Sequence, residues 1–211
     1  MQELFSDNIP VWKPKLPNAE LHYFENFWSK EEADLLYITL DTEIPWRQDP
    51  ITVFGKTYPQ PRLTSLHSIN NIPYGYSGIT MNPEPMSPIL VHILSKIKTV
   101  GQHEFTSVLL NKYRDGKDSN SWHSDDEREL GSNPIIASVS LGAERFFHLR
   151  HKKIKTERYK IKLSHGSLLI MGGEMQHHWK HQIAKTQKQI GPRINLTFRT
   201  VIVSTNNNNN R

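Results

Sequence analysis

The chain has 211 residues, enough for one domain with its own core, and 36% of them are hydrophobic and 22% charged. It holds no cysteine, which excludes disulfide scaffolds, zinc ribbons and thiol nucleophiles. The net charge of +5 is uneven, with 13 Lys and Arg against 3 acids over residues 141–199, a bias that fits a polyanionic partner or simply a solvated face. No apolar run approaches the ~18 residues of a membrane span, and no cleavable signal is expected from the first residues. The expectation is a soluble, intracellular monomer.

In chain order, Ser29 and Glu32 form a capping-box pattern that opens an amphipathic helix with Ala33, Leu36 and Leu40 on one stripe. Pro45 stops it. Residues 45–86 are punctuated by Pro and Gly, with short strands such as Ile51–Phe54 expected around a turn at Gly55-Lys56. Ser87-Pro88 starts a second helix, with Ile89, Ile93 and Ile97 and the pair Leu90 and Leu94 at helical spacing. Beyond residue 104 the pattern is β, with strands expected at Phe105–Tyr113, Ile135–Leu141, Phe146–Arg150, Arg158–Leu163, Ser167–Met171 and Ile194–Val203. Asn206–Asn210 is a polar low-complexity run. The expected fold class is α+β, with one domain expected over 1–204 and a tail at 205–211 expected to be disordered.

His123-Ser124-Asp125, if extended, projects an imidazole and a carboxylate from one face. With a distant histidine they make the facial triad of non-heme iron oxygenases. Spacing alone leaves His165, His177, His178 and His181 open as the third member. In Arg193-Ile194-Asn195-Leu196-Thr197-Phe198-Arg199, alternation puts Arg193, Asn195, Thr197 and Arg199 on one face and the apolar residues on the other. A solvated sheet face would alternate in the same way. The two arginines at its ends, about 20 Å apart along an extended strand, suit the two ends of a small dicarboxylate such as 2-oxoglutarate.

Several runs carry a resemblance to a known family. Asn111-Lys112-Tyr113-Arg114-Asp115-Gly116, then Trp122 to Leu130, Ile136 to Ala143, and the closing R-x-N-x-T-F-R resemble the AlkB family of Fe(II)/2-oxoglutarate dioxygenases, most nearly its DNA-repair homologues numbered two and three. Pro61-Arg62-Leu63-Thr64 and Tyr74-Gly75-Tyr76-Ser77-Gly78 extend the match, which covers about residues 45–203. The resemblance implies a double-stranded β-helix (jelly-roll) core at about 104–203, N-terminal helices packed on it, and a nucleotide-recognition lid at about 45–86. It also implies Fe(II) on His123, Asp125 and His181, with His177 and His178 left aside. 2-Oxoglutarate would sit on Asn111, Tyr113, Arg193, Thr197 and Arg199, with Asn195 in support.

By the same resemblance, Tyr76 and His123 sandwich an extruded base while Tyr74, Ser77 and Asp126 surround it. Val53-Phe54-Gly55 matches the apolar finger with which duplex-acting members fill the gap; an ordinary hairpin would read the same way. The implied activity uses O2 and 2-oxoglutarate to demethylate 1-methyladenine and 3-methylcytosine in DNA, duplex favoured, releasing formaldehyde, succinate and carbon dioxide. The compartment would be the nucleus in a eukaryote and the cytoplasm in a bacterium. The alternatives are methylated RNA or single strands as substrate, or a nucleic-acid-binding module without catalysis. One departure is the basic cluster expected after the distal histidine, which is thin here, with only Lys185 and Lys188.

Overall fold

A computed structural model describes residues 9–53, 55–76, 79–101 and 103–202. After β1 (Glu20–Phe24), α1 (Lys30–Glu43) starts at a true capping box: the Ser29 hydroxyl accepts from the Glu32 N–H at 3.2 Å, and the Glu32 carboxylate accepts from the Ser29 N–H at 2.9 Å. The helix ends as Ile44 turns extended ahead of Pro45. A hairpin follows, β2 (Pro50–Val53) and β3 (Lys56–Pro59), with Gly55 in its turn at φ 74°, a left-handed conformation that glycine adopts freely. Next come β4 (Leu63–Ser68), a second hairpin of β5 (Tyr74–Tyr76) and β6 (Ile79–Met81), the short β7 (Glu84–Pro85), and α2 (Pro88–Ile97). The Ser87 hydroxyl makes no capping bond, so the fixed φ of Pro88 rather than a side-chain cap sets the start of α2.

The rest is β8 (Ser107–Tyr113), β9 (Asn120–His123), β10 (Ile136–Gly142), β11 (Arg145–His151), β12 (Arg158–Leu163), β13 (Ser167–Gly172), the single turn α3 (Met175–His178), β14 (Trp179–Ile183) and β15 (Arg193–Arg199). The last strand ends at Arg199, short of the expected Val203, because the chain peels away: Val201 N–H goes to the Thr106 hydroxyl and Ile202 N–H to the Glu129 carbonyl. Strands β1, β4, β5, β6, β7, β9 and β14 had no expectation of their own.

One sheet runs β1-β13-β10-β15-β8-β4-β7 and the other β12-β11-β14-β9. Strands β8 to β15 thus divide between two facing sheets in the double-stranded β-helix order. Alternation along each strand then builds two cores. On the outer side of the large sheet, Val108, Leu110, Ala137, Val139, Ile194, Leu196 and Phe198 pack against Ala33, Leu36 and Leu40 of α1 and Leu90, Ile93 and Ile97 of α2. Between the sheets, Leu109, Tyr113, Ile136, Leu169 and Met171 meet Phe147, Leu149, Ile161, Leu163 and Ile183. Each fully buried Leu or Ile contributes about 1.5–3 kcal/mol. Every residue of β15 is buried, so its polar face does not meet solvent; it lines the space between the sheets.

Candidate active site

Pairing of β14 with β9 sets His181 directly opposite His123, with a bulge before Ile183 pairs with Asn120. The two Nε2 atoms lie 3.1 Å apart. The Nδ1–H of His123 donates to the Ser121 carbonyl at 2.7 Å, which fixes the tautomer and leaves the Nε2 lone pair facing inward. Beyond β9, Ser124 turns away and its hydroxyl donates to the Trp179 carbonyl at 2.8 Å, so Asp125 swings back toward the histidines. The Asp125 N–H donates to Gln176 Oε1 at 3.0 Å, and Arg199 Nη2 donates to Asp125 Oδ2 at 3.0 Å. That leaves Oδ1 free, 3.8 Å from His123 Nε2.

Ligand atoms of His123, Asp125 and His181 all fall within 4.8 Å of one another, and theirs is the cluster of this kind among the described residues. Burial pushes the Asp125 carboxyl up, but Arg199 and the two histidines outweigh it and hold it down at about 2. Burial, followed by the neighbouring His123, pushes His181 down to about 3. Burial also lowers His123. An ionised carboxylate and two neutral imidazoles are what a divalent metal needs from this donor set. His177 is exposed, while His178 pairs with Glu174 at 3.4 Å and stacks on His151.

The pocket wall is β15 with its neighbours β8 and β10. Arg193 is 1% exposed; its Nη2 donates to Ser140 Oγ at 2.8 Å and its guanidinium lies 5.2 Å over the Tyr113 ring. Its Nε and Nη1, with the Nε of Arg199, are buried and have no acceptor among the described residues. Such donors are expensive to bury unpaired, and a bound carboxylate removes the cost. Burial pushes Arg193 down to about 10, so it is still a cation at neutral pH. The sequence suggested two equivalent guanidinium ends, but the structure divides them: Arg199 is tied to Asp125 and Arg193 is the freer head.

Asn111, Asn195 and Thr197 also line this wall. Asn195 Nδ2 donates to Ser138 Oγ and the Val139 carbonyl, and its Oδ1 accepts from Thr197 at 3.2 Å. Asn111 Oδ1 accepts from Arg62 Nε at 2.7 Å, which turns its amide N–H groups the other way. Arg62 was quoted in the sequence only as part of a run; its burial and its bond to Asn111 are what mark it in the structure.

Tyr74 reaches the pocket from the second hairpin and hydrogen-bonds Glu127. Burial, then Asp125, pushes the Glu127 carboxyl up, and its Oε2 is buried without a partner among the described residues. Asp126 points outward, where Lys152 Nζ donates to it at 3.0 Å. Sequence reasoning chose Asp126 and passed over Glu127, because consecutive acids in a loop cannot be told apart until the backbone turns. Val53 ends β2 paired with Lys56 and Tyr76 ends β5 paired with Ile79. Phe54 and Ser77 lie outside the described residues.

Comparison with known proteins agrees with this geometry. The family model described as the 2OG-Fe(II) oxygenase superfamily matches residues 20–199. The chain is 46% identical over 187 residues to "Alpha-ketoglutarate-dependent dioxygenase alkB homolog 3" of Mus musculus, covering 84% of this chain and 65% of that protein. It thus spans slightly less than two thirds of that relative. It is 36% identical over 185 residues to "DNA oxidative demethylase ALKBH2" of Mus musculus, covering 83% of this chain and 77% of the relative. Among solved structures, "The structure of OsALKBH1" matches with TM-score 0.58 at 17% identity, over 90% of this chain and 100% of that one, a likeness of fold.

Proposed function

The chain belongs to the 2OG-Fe(II) oxygenase superfamily, on its AlkB-like branch, and on that premise we propose that it is an oxidative demethylase of alkylated bases in nucleic acid. The observation that carries the proposal is one buried pocket in which β9, β14 and the loop after β9 present a two-His, one-Asp donor set while β15 on the facing sheet presents cationic N–H groups that lack acceptors among the described residues. Iron(II) with 2-oxoglutarate and O2 supplies the oxidising power that hydroxylates an N-methyl carbon, which then leaves as formaldehyde. His123, Asp125 and His181 hold the metal. Arg193 takes one carboxylate of the cosubstrate in its fork, with Tyr113, Asn111 and Thr197 around it. Arg199 keeps the Asp125 carboxylate ionised and aimed. The jelly-roll walls exclude bulk water from the reacting centre.

Tyr74 and Glu127 are the groups placed to read the base. A cationic 1-methyladenine or 3-methylcytosine offers an exocyclic N–H to an acceptor and positive charge to a carboxylate, and Glu127 supplies both, more directly than Asp126. Tyr76 and His123 flank the base, and Ser77 completes its surroundings. The two hairpins, 50–59 and 74–81, form the lid.

Duplex DNA is the favoured form, with Val53-Phe54-Gly55 as the finger that fills the gap left by the flipped base. Phe54→Ala should therefore lower kcat/KM on a methylated duplex by roughly fivefold to 150-fold, the worth of about 1–3 kcal/mol of base–aromatic stacking, and spare a matched single strand. Equal losses on both at one salt concentration would move the reading to single strands or RNA. The lesion class is tested separately: decarboxylation of 2-oxoglutarate should rise with oligonucleotides bearing 1-methyladenine or 3-methylcytosine and stay at background with unmodified ones. An equal rate with both would overturn the demethylase reading.

A further inference from the structure

The four-stranded sheet has a second face that the chemistry above does not use. Strands β9, β11, β12 and β14 contain no Asp or Glu at all. Alternation turns Phe146, His148 and Arg150 of β11 outward, together with Arg158, Lys160 and Lys162 of β12 and Lys180 of β14. Register then stacks like charge on like charge: Arg150 pairs with Arg158 on one side and with Lys180 on the other. Three cations in one row, on strands about 4.8 Å apart, repel one another and destabilise the sheet unless an anion answers them. Lys162 has Glu144 at 3.1 Å, whereas Arg150, Arg158, Lys160 and Lys180 have no acidic partner among the described residues.

Aromatic rings are set among these cations. The Arg150 guanidinium lies 4.3 Å over the Trp122 ring, and Lys160 Nζ lies 3.6 Å over that of Phe146, which is 42% exposed. Burial, then Lys160, pushes the His148 imidazole down, in keeping with a positive local field. Trp122 and Lys180 each precede by one residue the pocket histidines His123 and His181, so this face is the back of the same two strands. Along β12, Arg158, Lys160 and Lys162 recur at about 6.6 Å, a row of positive charge that runs with the strand.

We propose that this outer face binds the phosphodiester backbone of a nucleic-acid strand, with the exposed rings contacting its bases. The proposal rests on nucleic acid being the substrate of the pocket, and it assigns to this sheet the grip on the strand away from the reacting base. Cations interleaved with aromatics favour a strand over a lipid surface, since a strand offers both phosphates and base faces.

The test uses the full chain without iron, binding an unmodified single-stranded 20-mer over a range of salt. Arg158→Gln, Lys160→Gln and Lys180→Gln are combined in one variant that leaves the Arg150–Trp122 stack intact. Removing three phosphate contacts should lower the salt slope by about 2 and weaken binding roughly 100-fold at 0.1 M salt. Its thermal midpoint at low salt should equal or exceed the wild type, because the cross-strand repulsion is relieved. Turnover of a methylated trinucleotide, too short to reach the face, should stay within twofold. An unchanged slope and affinity would overturn the proposal, as would wild-type binding to anionic vesicles that the 20-mer fails to compete. Failure of the trinucleotide to turn over with wild type would count against the demethylase reading instead, since the 20-mer measurement needs no catalysis.

Discussion

Replacing Arg193 should separate cosubstrate binding from folding. Its Nε and Nη1 are buried donors without acceptors among the described residues, so the protein alone bears a desolvation cost that a carboxylate relieves. Truncating one side of a buried charge pair costs about 2–5 kcal/mol of binding, so Arg193→Met should weaken 2-oxoglutarate by roughly thirtyfold to several thousandfold. Arg193→Lys keeps a cation but loses the planar fork; forfeiting one charge-assisted bond worth about 1.5–3 kcal/mol gives roughly tenfold to 150-fold. The assay is calorimetric titration of 2-oxoglutarate into anaerobic Fe(II)-loaded protein, with thermal midpoints of the metal-free variants alongside. Arg193→Met should melt no lower than wild type, since it removes an incompletely paired buried cation. Unchanged affinity with a lowered midpoint would show Arg193 to be a packing residue and would refute the reasoning.

Changing His123, Asp125 or His181 to Ala should abolish Fe(II) binding and turnover, whereas His177→Ala should keep both; iron retained by His181→Ala but lost in His177→Ala, measured by metal analysis, would reassign the third ligand. Glu127→Gln keeps a hydrogen-bond acceptor but removes the charge, so KM for a cationic methylated base should rise about tenfold while Asp126→Asn stays near wild type; an unchanged KM in Glu127→Gln, or an equal rise in both variants, in steady-state assays would refute the assignment of base reading to Glu127. Asp118 accepts from Arg114 N, Nε and Nη2, and although burial pushes its carboxyl up, these bonds bring it below the usual range. Its contribution is therefore full above the unfolded carboxyl value and fades as pH falls through the folded one: Asp118→Asn should cost about 1.5–3 kcal/mol in urea unfolding at pH 7 and nothing at strongly acid pH. A difference that persists undiminished in acid would show that the ion pair is not its source.

Much of the site was legible because its signals are local. The H-x-D tripeptide and the alternation over 193–199 are consequences of strand geometry and survive any tertiary arrangement. What alternation could not decide was whether the polar face of β15 meets water or a second sheet; that depends on β9 and β14, strands of four and five residues, too short for a period to be read from their sequences. The choice among His177, His178 and His181 likewise needed the register that sets His181 opposite His123. Glu127 and Arg62 stayed hidden for a related reason, since the partner that marks each, Tyr74 for the first and Asn111 for the second, lies far away in the chain. In the helices, Ser29 carried a real cap and Ser87 did not, although each serine stands just before an apolar periodic run; the second helix starts on the fixed φ of Pro88 instead.

The most direct test of the central claim is mass analysis of a 1-methyladenine oligonucleotide after anaerobic reconstitution with Fe(II), followed by 2-oxoglutarate and air. The account predicts loss of one methylene mass per lesion, with one formaldehyde and one succinate formed for each base restored. An oligonucleotide of unchanged mass, from protein shown to have bound iron and 2-oxoglutarate, would contradict it.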